Sequence, residues 1–438
     1  MTIRRFGSIL VATSLVAGAC GGDESGTEPS GTDPAANPTA HLVAVPARLA
    51  STADPAPAGT GVTEFGFELL AASSAATGPT NNVVVSPLSV AIALALAEPG
   101  ASGDAVAQFH ELLGIDDPVA WRQSLAALEL ALEARQPDPV VDTGGDDEQS
   151  PGELHVSVAD AAFVRPGYPF RDDYLDVLGT VFGAHLEELD FADPAAAAAR
   201  INDFIAGETD DRITDLVPPS AIDPDATVLA LVNALLLQAS WLSVFDEART
   251  ADGTFSTAAG NEVTVPMMHG ASERSGRGDG WVGATKPLVG RLALEVVLPD
   301  EGRFDEVAGR FGEVIGQLAA SPNPGGDLVV PRVETRVNTE LTGVLQDMGL
   351  VAPFSPGSML GVADDPDTAI SDVLHETWLS IDEDGIEAAA ATVVLMVATS
   401  APIDEPVPVV LDRPFLFRIV DTVTGATLFT GRIADPTA

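Results

Sequence analysis

Six histidines, at 41, 110, 155, 185, 269 and 375, are where a catalytic base or metal ligand would be sought first. His110-Glu111 is followed by Leu-Leu-Gly, so the second histidine that a zinc-protease helix places one turn on is missing. His375-Glu376 lacks that partner as well. In Gly357-Ser358-Met359-Leu360-Gly361 the first glycine sits one residue too close to the serine for a nucleophile elbow. No Gly-rich loop of the phosphate-cradling type occurs, and Cys20, the sole cysteine, allows no intramolecular disulfide. With 65 acidic side chains, paired carboxylates carry little information. These residues make no recognisable catalytic set. The chain reads as a non-enzyme with no cofactor and no metal.

A different chemistry is suggested by Glu383 to Thr392, EDGIEAAAAT, which runs on into VVLMVATSAP. The alanines favour helix and the aliphatic run favours strand, so the segment has no single local preference. Such a segment suits one conformation before an event and another after it.

Composition sets the frame. The chain has 438 residues, 46% of them hydrophobic, enough for a large core. Its net charge of -44 repels nucleic acid, and among 21 basic residues only Lys286 is a lysine. The acidity reads as a device for solubility. At the N-terminus, Arg4 and Arg5 precede an apolar stretch from Phe6 to Ala19, a targeting signal expected to stand outside the fold. The sequence AGAC ending at Cys20 resembles the bacterial lipoprotein processing box, which implies a signal peptide over 1–19 and lipidation of Cys20. Residues 20–40 are a Gly/Ser/Pro/acidic tether with little to bury. The implied location is a membrane-anchored lipoprotein on the cell surface or in the extracellular or periplasmic space of a bacterium.

The elements that must position any site begin near His41. Helices are expected at Val62–Ala76, from Ser86 with Pro87 in the first turn, at Gly103–Leu113, Trp121–Ala134, Pro169–Phe182 and Pro194–Glu208. Strands are expected at Val83–Val85, His155–Val164 and Thr227–Leu237, the last buried on both faces. Gln136 to Gly152 is an acidic surface loop. From Glu262 the pattern reads as strands and turns: Leu328–Val337, Trp378–Ile381, Val407–Val410, Phe415–Val420 and Thr427–Ile433. Helices first and strands last, without βαβ alternation, argue for an α+β domain spanning 41–438.

Five segments in order resemble the serpins: NVVVSPLSVAIALALAEPGASG, LVNALLLQASWLSVFDEARTADGTF, LVVPRVETRVN with LQDMGLVAPFSPGSMLGVAD, SDVLHETWLSIDEDGIEAAAAT, and DRPFLFRIVDTVTGATLFTGRIADP. The resemblance implies a serpin fold of three β-sheets and eight or nine helices, with an exposed reactive-centre loop at about 385–411. It also implies a monomeric suicide inhibitor of serine or cysteine endopeptidases. In that mechanism the protease cuts the loop, is held as an acyl-enzyme, and the loop enters the main sheet as a new strand. The alternative is a non-inhibitory serpin acting as a binding protein or a protease substrate.

The resemblance also assigns residues. Gly385, Ile386, Glu387, Ala388, Ala389, Ala390, Ala391 and Thr392 are the hinge of the loop. Family loop length puts the reactive bond at Thr399-Ser400, with Ala398-Thr399 as runner-up. Small residues there, and no Arg or Lys between Gly385 and Asp412, suit elastase-like or subtilisin-like targets. Ser86, Ser89, Asn233 and His375 form the shutter beneath the opening of the sheet. Trp241, Arg332 and Glu383 form the breach, where the loop first enters. As a strand, the loop would put Ile386, Ala388, Ala390, Thr392, Val394 and Met396 on one face, with no charge among them. About ten ladder hydrogen bonds at roughly 0.5–1.5 kcal/mol each would make insertion favourable by on the order of ten kcal/mol. Ile386 departs from the Thr, Ser or Val usual at the first inserting position, and its bulk is expected to slow insertion.

Overall fold

Asp117-Pro118 and Asp193-Pro194 illustrate how the helices start. Each aspartate carboxylate accepts from two backbone N–H groups of the next turn, at 3.0 and 3.1 Å for Asp117 and at 3.1 Å twice for Asp193. The prolines stand where an N–H would have no helical partner. The computed structural model describes residues 8–17, 41–43, 47–137, 152–386 and 407–438. Cys20 and the tether, most of the acidic stretch from 136 to 152, hinge residues Glu387 to Thr392, and the bonds at Ala398, Thr399 and Ser400 lie outside the described residues.

Among the described residues the helices are α1 (Ala56–Thr77), α2 (Pro87–Ala97), α3 (Asp104–Leu113), α4 (Pro118–Glu133), α5 (Asp172–Val177), α6 (Pro194–Glu208), α7 (Phe304–Ala308), α8 (Phe311–Ala319) and α9 (Thr342–Asp347). They pack around three sheets, an α+β architecture. The main sheet runs in the order β13 (Val333–Glu340), β14 (Ala369–Ile381), β1 (Ser8–Ala17), β6 (Thr227–Ser240), β4 (Leu154–Val164), β5 (His185–Glu188) and β2 (His41–Leu42). A short β15 (Gly385–Ile386) pairs with the end of β6. The second sheet is β3 (Val83–Val85), β18 (Thr427–Ile433), β17 (Phe415–Asp421), β11 (Leu292–Pro299), β10 (Trp281–Leu288) and β9 (Arg274–Gly278). The third is β16 (Val409–Val410), β12 (Asp327–Pro331), β8 (Glu262–Ala271) and β7 (Ala251–Ser256).

The continuous apolar run of β6 has the expected cause. Leu229, Leu231, Leu235 and Leu237 join the main core with α2, whereas Ala230, Val232 and Leu236 join a second core with Ile201 and Ile205 of α6. Alternate side chains of one strand thus serve two cores, so neither face meets solvent, and the amide within the run, Asn233, is held by Ser89 and Asp160. Helix α2 is buried along its whole length and lies against β6, β1 and β18, between the main and second sheets.

Four expectations are corrected. Leu328–Val337 is two strands in different sheets, broken at Arg332, whose N–H donates to Pro266 O at 2.8 Å. Helices α7, α8 and α9 interrupt the region read as strands and turns. Helix α8 had a legible signal, because buried Phe311, Val314, Ile315 and Leu318 fall at helical spacing. The segment read as one helix over Pro169–Phe182 is α5 followed by a wider turn over Leu178–Phe182, closed by Gly183 at φ 70°. Finally, the apolar N-terminal stretch expected to stand apart supplies β1, which runs parallel to both β14 and β6.

Candidate functional site

Strands β6 and β14 flank the position held by β1, and the site is built on their edges. At the upper end, β14 finishes at Ile381 and the chain reverses. The Asp382 carboxylate accepts from Asp384 N at 3.0 Å and Gly385 N at 3.1 Å, an Asx turn that returns the chain toward β6. Burial raises the Asp382 carboxyl above its ordinary value, against the pull of those two donors. Beyond the turn, Gly385 pairs with Ser240 and Ile386 with Ala239, antiparallel to β6, and Ile386 is fully buried.

Trp241 and Glu383 fix this turn from two sides. Trp241 donates its indole N–H to Asp382 O at 2.9 Å and its backbone N–H to Asp384 O at 3.0 Å. Glu383 accepts from Thr250 Oγ1 at 2.8 Å and from Arg332, Nη2 at 2.7 Å and Nε at 3.2 Å. Burial pushes the Glu383 carboxyl up, but these donors outweigh it and hold the group below its usual range. Beneath Trp241 lies Lys286, 1% exposed, its Nζ donating to Ser243 O at 2.6 Å and Ala271 O at 3.2 Å. The ammonium is 4.2 Å from the ring centre of Phe245 and 5.3 Å from that of Trp241. Burial lowers its pKa to about 7.

Half-way down, Ser86, Ser89, Asn233 and His375 meet, all fully buried. Ser86 caps α2: its Oγ accepts from Ser89 N at 3.1 Å and donates to Leu428 O at 2.7 Å. Its backbone N–H donates to His375 Nε2 at 3.1 Å, so that nitrogen is an acceptor and the imidazole is neutral there. Ser89 Oγ donates to Asn233 Oδ1, and Asn233 Nδ2 donates to Asp160 Oδ1 at 2.9 Å. The two flanking strands therefore each send one side chain to a single turn of α2. A neutral imidazole with an N–H donor on one side is a satisfied network and holds no nucleophile beside a base.

Asp160, Thr250 and Lys286 were not singled out by sequence reasoning. Asp160 had a signal, as the one acidic residue inside the apolar strand β4. Burial first, and the nearby Glu133 charge, raise its pKa to about 7, against the Asn233 hydrogen bond and the Arg48 charge. Thr250 had none. Among the described residues no cluster of histidine, cysteine or carboxylate side chains could hold a metal ion.

A family model described as serpin (serine protease inhibitor) matches residues 60–436. An uncharacterized serpin-like protein of Thermococcus kodakarensis is 32% identical over 368 residues, 82% of either chain. The plasma serine protease inhibitor of Bos taurus is 28% identical over 384 residues, 86% of this chain and 90% of that one. The crystal structure of a thermophilic serpin, tengpin, in the native state superposes with a TM-score of 0.74 at 22% identity, covering 90% of this chain and 99% of that chain. At that identity the likeness concerns the fold alone.

Proposed function

The chain belongs to the serpin family, and from that premise we propose that it is a suicide-substrate inhibitor of serine endopeptidases, with cysteine endopeptidases a related target class. The observation that carries the reading is the hinge. The chain has already reversed at Asp382–Gly385, and Ile386 lies in antiparallel register on Ala239. A strand continued in that register would run antiparallel to β6, in the place beside β14. From Ile386 to Met396 only Glu387 is charged.

In this reading the protease serine attacks the carbonyl of Thr399, the peptide bond to Ser400 breaks, and an ester to the protease forms. The freed loop end then adds as a strand antiparallel to β6 and β14 and carries the tethered protease with it. Distortion of the protease's oxyanion hole leaves the ester unhydrolysed. Gly385 to Thr392 act as hinge, Trp241, Arg332 and Glu383 as the breach, and Ser86, Ser89, Asn233 and His375 as the shutter. The small residues at Ala398, Thr399 and Ser400 favour elastase-like or subtilisin-like targets. The protein acts as a monomer, anchored to a bacterial membrane by a lipid on Cys20. The test is incubation of the chain from Cys20 onward with pancreatic elastase and subtilisin, followed by a denaturing gel. A covalent complex is expected, and full loop cleavage with free active protease would overturn the reading.

A second reading is favoured by Ile386. A fully buried isoleucine at the first inserting position slows entry of the rest, and a slow loop is hydrolysed as a plain substrate. The chain would then serve as a non-inhibitory binding protein or protease substrate.

A further inference from the structure

The place that an inserted loop would take is filled by another part of the same chain. Strand β1 pairs with β14 from Ser8↔Ala369 to Ala17↔Leu379 and with β6 from Ser8↔Thr227 to Val16↔Leu236. The loop would come from the opposite end. Its register starts at Ile386↔Ala239 and is antiparallel, so each step back along β6 advances the loop by one residue. Three steps on, opposite Leu236, the loop would place Ala389; opposite Leu229 it would place Met396. Those positions on β6 are taken by Val16 and Ile9. The two segments compete for one site and cannot both occupy it.

The sequence of β1, SILVATSLVA, suits the place. It has no charge and no proline, so it can sit in the middle of a sheet covered on both faces and donate from every backbone N–H. Its β-branched residues favour the extended form. The flanking strands are parallel to each other, and β1 lies parallel to both, entering from the end opposite the hinge.

We infer that Ser8–Ala17 is an internal blocking strand: while residues 8–17 remain attached the channel is occupied, and their removal opens it to the loop. The consequence for inhibition rests on the reading above. A processing cut before Cys20 would remove the blocking strand and arm the inhibitor in the same step.

The test uses the full chain and its Val11→Asp, Leu15→Asp double variant, with hydrogen exchange followed by mass spectrometry and the subtilisin gel in parallel. In the unmodified chain, amides of residues 9–16 are expected to exchange at least about a hundredfold more slowly than an unstructured peptide of the same sequence. Those amides of Ala230–Leu236 and Val373–Trp378 that face β1, rather than β4 or β13, should be similarly protected, and the double variant should lose that protection and form covalent complex that the unmodified chain does not. Exchange of residues 9–16 at the unstructured rate in the unmodified chain overturns the inference, whatever the variant does. Equal trapping by both chains also overturns it and leaves the inhibitory reading standing. Protection without trapping by either chain supports the blocking strand and sinks the inhibitory reading instead.

Discussion

Asn233 and His375 take register on the same residue, Thr13, from the two strands that flank it, and both reach past it to one turn of α2. His375 accepts from Ser86 N and Asn233 accepts from Ser89 Oγ. The walls of the channel are thus tied together through the helix beneath, whatever stands between them. Asn233→Ala would remove one partner from Ser89 and one from the buried Asp160 carboxyl. The expected loss is about 2–4 kcal/mol, measured as a shift in the urea unfolding midpoint.

The hinge offers a sharper test of mechanism. Ile386 is fully buried against Ala239, and an arginine there would have to bring a charge into the sheet. In the chain from Cys20 onward, Ile386→Arg should be cut by subtilisin at a similar rate but leave about tenfold less protease trapped. Ile386→Thr removes bulk and keeps the β-branch, so it should raise the trapped fraction. The ratio of complex to cleaved chain on a denaturing gel reads both.

Two buried groups set opposite pH limbs. Asp160 has an ordinary value of 3.8 and a folded value of about 7, so between those limits the folded chain holds a proton the unfolded chain has lost. Its contribution is fully present below pH 3.8 and is lost as pH rises through about 7. Lys286 falls from 10.5 to about 7, so between those limits the unfolded chain holds the extra proton. Stability then rises with pH across that window. Together they place a shallow minimum near neutrality. Urea unfolding at several pH values should show it, with Asp160→Asn flattening the acid limb and Lys286→Met the alkaline one.

Glu383 behaves in the opposite sense to Asp160. Its folded value lies below the ordinary 4.5, so its stabilisation is present above that pH and is lost as pH falls through the lowered value. Arg332 is half exposed, and solvent screening limits the pair to about 0.5–1 kcal/mol. Arg332→Gln should therefore cost little in unfolding experiments. It should still loosen the Asp382–Gly385 turn, read as faster hydrogen exchange at Trp241.

Lys286 also provides a reporter. It is the only lysine and is 1% exposed, so an acylating reagent should modify it at least about a hundredfold more slowly in the folded chain than in urea. Mass spectrometry after timed labelling checks this. Any treatment that opens the top of the main sheet should raise the rate.

Much of this was legible in the sequence, and for definable reasons. Val83–Val85, Pro194–Glu208 and the double burial of β6 follow from local pattern, because each segment carries its own period and its own caps. Apolar alternation runs through Arg332 as through one strand, and only tertiary pairing divides the segment between two sheets. Ser86 could be read as the start of a helix, whereas its bond to Leu428 O spans the chain and leaves no local trace. Thr250 and Lys286 leave no local trace, because the partners that give them meaning lie 133 and 43 residues away. In the N-terminal stretch composition alone does not decide, since a charged start and an apolar middle fit an export signal and an interior strand equally well.

The cap of α2 has a consequence for how such a protein can change over time. Ser86 and Ser89 answer to opposite walls of the channel from adjacent positions on one turn, so the ease of parting those walls is governed from a single place. On the inhibitory reading, a change in how readily the walls part need not re-engineer two long strands in concert. The control lies at one turn of α2, in the Ser86 backbone N–H toward one wall and the Ser89 hydroxyl toward the other.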